Sequence, residues 1–205
     1  MRGKFITIDG GDGAGKSTQV RLLGDALKER GVDVILTREI GGTPEGEAAR
    51  TLFITQDWNG IEGVFIQFAA RSVHVRKLIE PALRAGKWVV SDRFFDGTYA
   101  YQGYGQGVPL EQIDSVRRIA LGEFEPDMTL IFNFGAAEGI ERLLAERGKA
   151  DRFEQMGADF HQRVNNGYAE IARKNPHRCT TIDATGTIEA VQQRVWTAVQ
   201  QKFGL

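Results

Sequence analysis

The chain has 205 residues, of which 41% are hydrophobic and 26% charged, with a formal net charge of -1. That mixture fits one globular domain over 1–205 and excludes a disordered, collagen-like or coiled-coil chain. The balanced charge argues against a non-specific coat for a nucleic-acid polymer, and a single cysteine, Cys179, excludes an internal disulfide. In chain order, Lys4 to Asp9 is an apolar strand that follows the first residues directly, with no apolar leader. A glycine-rich turn follows, then a helix over 16–30 that stops at Gly31. Asp33 to Arg38 is the second strand, and glycines 41–46 form a loop. The longest helix covers 62–85, with Val64, Phe68, Val75, Leu78, Ile79 and Ala82 near one stripe. Trp88 to Asp92 is the third strand, and a further glycine-rich loop is predicted over 97–107. A helix over 110–122 and the strand Met128 to Phe134 come next, then helices over 137–147 and 157–174. Cys179 to Asp183 is the fifth strand, and a helix over 187–203 closes the series. Strands that are apolar nearly throughout, alternating with helices, predict an α/β fold: a five-stranded parallel sheet with helices on both faces. No run of about 18 apolar residues is present, so no membrane partner is expected and the cytoplasm is the expected location. His74, His161 and His177 are too few and too separated for a metal triad and read as surface or interface residues. Trp58, Trp88 and Trp196 read as packing.

The strongest motif is Gly10-Gly11-Asp12-Gly13-Ala14-Gly15-Lys16-Ser17, with Thr18 following in the helix. It satisfies G-x-x-x-x-G-K-[ST] between a strand and a helix. Glycines allow a backbone nest whose N–H groups converge on phosphate, and the start of the following helix adds positive field. Lys16 can reach the outer phosphates of a nucleotide, and the Ser17 hydroxyl suits Mg2+. A chance match in this length is on the order of one in a hundred on ordinary residue frequencies. The G-x-G-x-x-G of a dinucleotide fold is absent, as is the Asn-Lys-x-Asp of a GTPase.

The third strand ends in Asp92-Arg93, at the sheet edge that faces the phosphate loop. Asp92 suits the metal or its water, and Arg93 suits the bridge between a donor and an acceptor phosphate. A surface salt bridge is the plain alternative. Glu146 to Arg152 is short, basic and glycine-broken, as a small lid over about 146–154 would be. A solvated loop between helices is its plain alternative.

Further motifs carry a resemblance that runs over essentially the whole chain. They are Thr37-Arg38-Glu39 with Gly41-Gly42-Thr43, Phe68-Ala69-Ala70-Arg71, Asp92-Arg93, Ala100-Tyr101-Gln102-Gly103, Asp151-Arg152 and Ile182-Asp183-Ala184-Thr185. With the phosphate loop, the chain resembles a bacterial-type thymidylate kinase. The resemblance implies the P-loop fold of nucleoside monophosphate kinases, transfer of the γ-phosphoryl of ATP to dTMP with Mg2+, and a homodimer packed through helices that include 62–85. It implies that Asp12 sits near the acceptor sugar hydroxyl, with Arg147 and Arg152 closing from the lid. It implies that Arg38 and Arg50 grip the acceptor phosphate and Arg71 hydrogen-bonds the base. Thr98 and Gln102 would line the base edge, Tyr101 would crowd the sugar 2′ carbon, and Ile182 to Thr185 would pack the adenine.

Two positions depart from the family pattern. Gln67 stands where the family has the phenylalanine that stacks on thymine, with Phe68 beside it. The expectation is that Phe68 swings in to stack while Gln67 points to solvent or to the 4-carbonyl. The alternative is a pocket for a polar 5-substituent, as in 5-hydroxymethyl-dUMP. Ile40 stands where the family has a proline, usually after a cis bond. A cis bond before a residue other than proline costs about 3 kcal/mol more than trans, so a different loop is expected there. A non-catalytic nucleotide-binding regulator is a further reading, against which the intact Lys16, Arg93 and Arg152 argue.

Overall fold

Every residue of β1 (Phe5–Gly10) is buried, which places this strand at the centre of the sheet. A computed structural model describes residues 2–135, 138–139, 153 and 155–205. The sheet has the order β2-β3-β1-β4-β5 and all four pairings are parallel, with β2 at Val34–Arg38, β3 at Trp88–Asp92, β4 at Met128–Asn133 and β5 at Cys179–Asp183. The expected five-stranded α/β architecture is the observed one. In β1, Ile6 and Ile8 face one layer and Phe5 the other, as the period of two requires. The first layer packs Leu23 and Leu27 of α1 (Lys16–Lys28) against Val195 and Val199 from the C-terminal helix. The second packs Val64, Phe68 and Ile79 of the longest helix against Phe5 and Val89.

Helix α2 (Pro44–Thr55) was not expected. Thr43 caps it by accepting from Gly46 N at 3.0 Å, and Pro44 fits the first turn. Helix α3 (Gly60–His74) starts two residues before the expected bound. A capping box sets the start, Asn59 Oδ1 accepting from Glu62 N and Glu62 Oε2 from Asn59 N. The rod continues through a π-helical stretch, Val75–Ile79, into α4 (Glu80–Arg84). Pro81, which has no N–H to donate, lies just past this widened turn.

The predicted loop over 97–107 is largely helical. Helix α5 (Phe95–Thr98) runs into a π-helical stretch, Tyr99–Gly105. Its glycines are there for close packing: a Cβ on Gly105 would lie 2.5 Å from the Phe160 ring. Helices α6 (Leu110–Leu121), α7 (Ala158–Lys174) and α8 (Ile188–Phe203) match the remaining expectations. Of the expected helix over 137–147, all but 138–139 lies outside the described residues. So does the expected lid over about 146–154, Phe153 excepted. The histidine reading needs correction: His74 and His161 are buried, and only His177 lies on the surface. Among the described residues no helix is long and apolar enough to cross a membrane.

Candidate active site

The glycine-rich loop joins β1 to α1 at the C-terminal edge of the sheet. Gly13 and Gly15 have φ of +74° and +78°, a region that L side chains rarely adopt. The N–H groups of the first turn of α1 face the same space, and that turn has no acidic residue of its own. Lys16 folds over the loop and its ammonium donates to Gly11 O. Burial pushes the Lys16 pKa down to about 8; Arg93 adds to the shift and Asp12 opposes it. Ser17 Oγ donates to Asp92 Oδ2, so the two oxygen groups expected at the metal lie side by side. Both are hard oxygen donors, and both line the cleft, which fits a Mg2+ site.

Arg93 follows Asp92 with φ +70°, a sparsely populated region for a residue with a Cβ. That turn lays its guanidinium across the phosphate loop. Nη1 donates to Gly10 O at 2.9 Å and to the Tyr168 hydroxyl at 3.0 Å. Nη2 donates to the Asp12 carboxylate and, at 3.3 Å, to the Tyr101 hydroxyl, which itself donates to Asp12. Burial works to raise the Asp12 pKa, but the charges of Arg93 and Lys16 outweigh it and hold the carboxyl below its usual range. Asp9 lies deeper. It accepts from Phe94 N at 3.0 Å and from the Tyr168 hydroxyl at 3.2 Å, and burial, with Asp96 adding, pushes its pKa up to about 7.

A cleft of about 400 Å³ runs from this loop past Arg38, Arg50, Gln67 and Arg71. Glu47 holds Arg38 through both carboxylate oxygens, at 2.8 and 3.3 Å, and Arg50 Nη1 donates to Ile40 O at 3.2 Å. Arg71 is buried and fully oriented: Nε pairs with Glu39, Nη1 donates to Thr98 Oγ1 at 3.2 Å and Nη2 to Phe94 O at 3.3 Å. His74 braces the other Glu39 oxygen through Nδ1 at 3.0 Å, and its Nε2 meets Thr37 Oγ1 at 2.8 Å.

Two expectations are corrected here. The Glu39–Ile40 peptide is cis, so the loop keeps a cis bond without a proline. Tertiary contacts hold both sides of that bond: Glu39 is buried against Arg71 and His74, its N–H donates to Asp92 O, and Ile40 is buried under Arg50. Phe68 does not swing into the cleft; it is 1% exposed in the core against α6 and β1, and it carries the Arg71 guanidinium 4.6 Å from its ring centroid. Gln67 lines the cleft instead.

A family model described as thymidylate kinase matches residues 8–195. The chain belongs to the thymidylate kinase family. It is similar to the thymidylate kinase of Caulobacter vibrioides, 44% identical over 207 residues that cover 100% of this chain and 99% of that protein. It is 45% identical to the thymidylate kinase of Ruthia magnifica, covering 98% of each chain. It superposes on the crystal structure of thymidylate kinase from Ehrlichia chaffeensis with a TM-score of 0.78 at 36% identity, covering 98% and 99% of the two chains.

In this member of the family the fold brings Asp12, Lys16, Ser17, Thr18, Asp92 and Arg93 to one end of the cleft. Arg38, Arg50, Gln67, Arg71, Tyr101 and Gln102 stand along it. Thr98 is fully buried and reaches the site through Arg71. Ala184 and Thr185 lie in the turn after β5, away from the cleft lining, with Thr185 closing on Asp183. Arg147 and Arg152 lie outside the described residues. Sequence reading missed Asp9, Tyr168 and the cleft wall of Phe53 and Phe153, whose rings stack at 5.5 Å. Nothing in the local sequence separates these from core residues.

Proposed function

We propose that this chain transfers the γ-phosphoryl of ATP to dTMP, giving dTDP and ADP. The observation that carries this is a cleft shared by Lys16 and Arg93 at one end and Arg38, Arg50 and Arg71 along it. A phosphate loop binds a donor, and three further arginines match an acceptor that has both a phosphate and a base. Family membership supports the same pair of substrates.

The chemistry needs positioning and charge neutralisation more than covalent help. Lys16 and the loop N–H groups hold the donor phosphates. Arg93, pinned by Gly10 O and Tyr168, faces the point where donor and acceptor phosphates meet. Asp12, held below the usual carboxyl range by Arg93 and Lys16, would accept from the acceptor sugar hydroxyl. Ser17 and Asp92 would hold Mg2+, which would supply positive charge against the negative charge of the donor phosphates. Arg147 and Arg152 are proposed to complete the charge clamp. Gly10 to Thr18 are proposed as the donor contact, with Ala184 and Thr185 at the adenine.

Exposed apolar side chains on adjacent packed helices, Phe65 on α3 and Ile119 on α6, support a homodimer through that face. Family membership gives a polar 5-substituent on the base no support. An ADP-release assay with ATP and a panel of nucleoside monophosphates tests the proposal. Turnover with dTMP above other acceptors is expected, and no turnover with any acceptor would sink it.

A further inference from the structure

Gln67 is 8% exposed, lines the cleft, and makes three hydrogen bonds that fix which way its amide faces. One amide atom lies 3.2 Å from Gly63 O. A backbone carbonyl only accepts, so this atom is the nitrogen. Its second hydrogen goes to Gln102 Oε1 at 2.8 Å. On the other side, Thr98 Oγ1 accepts from Arg71 Nη1 and must therefore donate its own hydrogen onward, which it does to Gln67 Oε1 at 3.1 Å. The result is a directed chain from Arg71 through Thr98 to Gln67, with Gln67 then donating to Gln102. Gln102 Nε2 passes one hydrogen to Gln106 Oε1 at 3.3 Å.

The bookkeeping of donors decides what the cleft wall offers. Gln67 has no N–H left, but Oε1 keeps one lone pair. Gln102 keeps one N–H and one lone pair on Oε1, and Arg71 keeps one N–H on each terminal nitrogen. Of these three side chains Gln67 alone can only accept, beside donors on Gln102 and Arg71. A uracil-type base presents the inverse, one N–H between two carbonyls. A cytosine presents an acceptor nitrogen beside an amino group and matches poorly.

We infer that Gln67 is a specificity-determining residue that accepts the ring N–H of a uracil-type base. The inference rests on the acceptor reading above and assigns to this side chain a polar role in place of a stacking one. A buried acceptor aimed at the wrong base is left unpaired, and sites of this kind discriminate more strongly than apolar ones.

The test compares kcat/KM for dTMP, dUMP and dCMP in the native enzyme, in Gln67→Met and in Gln67→Glu, with thermal melting to confirm folding. The native enzyme should favour dTMP and dUMP over dCMP. Gln67→Met keeps the volume and removes the acceptor, so the dTMP-to-dCMP ratio should fall at least tenfold, through KM more than kcat. Gln67→Glu keeps an acceptor oxygen but loses both donors, so it should weaken all acceptors while preserving most of the ratio. If Gln67 served only to brace Gln102, both variants would weaken all three acceptors alike, and an unchanged ratio in Gln67→Met overturns the inference. If Gln67→Met does not fold, a collapsed ratio in Gln67→Glu overturns it instead. Failure of the native enzyme to use any pyrimidine acceptor would overturn the proposed function itself, which a flat ratio among active variants would not.

Discussion

Arg93 Nη1 donates to the hydroxyl of Tyr168 at 3.0 Å, and this contact ties the end of β3 to α7. The same hydroxyl donates to the buried Asp9, so Tyr168 bridges a charge in the cleft and a carboxyl beneath it. Tyr168→Phe keeps the ring in the core and removes both bonds. A hydrogen bond to a charged group is worth about 1.5–3 kcal/mol, so kcat should fall about tenfold or more. The acceptor KM should move less, because the guanidinium is needed most when phosphates meet. Unchanged kcat in steady-state assays would show that Arg93 needs no second tether.

Lys16→Ala and Arg93→Ala should each lower kcat at least about a hundredfold, since one charge contact to a transferring group is worth about 3–4 kcal/mol. Both proteins should melt cooperatively. An Arg93→Ala enzyme with near-native kcat removes Arg93 from the transfer step.

The Lys16 ammonium has a pKa near 8 in the folded chain, against 10.5 for an ordinary lysine, chiefly through burial. Folding lowers this pKa, so the charged form costs stability below about 8, and that cost fades as pH rises toward the ordinary value. In catalysis the neutral amine loses its hold on phosphate. The kcat/KM for ATP should therefore fall above about pH 8. Lys16→Arg, which stays charged, should flatten that alkaline limb even at lower activity. A limb that persists in Lys16→Arg belongs to another group.

The Glu39 side chain is 2% exposed and divides its carboxylate between Arg71 and His74. Removing one partner of a buried ion pair typically costs about 3–5 kcal/mol, because the other charge is left uncompensated. Glu39→Gln should lower the Tm clearly and raise the acceptor KM through a loosened Arg71. A Tm within about a degree of native would mean that the pair contributes little here.

Ile119 is 87% exposed and Phe65 57% exposed on packed neighbouring helices. Replacing either with Glu should leave the monomer fold intact and shift sedimentation from dimer to monomer. A native protein that sediments as a monomer at micromolar concentration contradicts the proposed dimer.

The phosphate loop was legible in the sequence because its demands are local: Gly13 and Gly15 need positive φ, and Lys16 and Ser17 must open the next helix. The strands were legible for a similar reason, since β1 and β4 bury nearly every residue, β3 buries its central three, and all read as apolar runs. The segment after Phe95 was not. Its glycines look like loop residues until α7 is present to press on Gly105. The base pocket shows the same limit at finer scale. Gln67 and Phe68 are neighbours on a helix, about 100° apart around its axis, and periodicity alone does not say which one meets a cleft. Packing against Phe5 and Val64 decided it, drawing Phe68 into the core and turning Gln67 to the cleft. Tyr168, Asp9 and Glu39 became site residues in the same way, because the partners that give them a role lie tens of residues away along the chain. Backbone requirements and burial periodicity are written locally, while the direction of a polar side chain is settled by whichever distant group completes its hydrogen bonds.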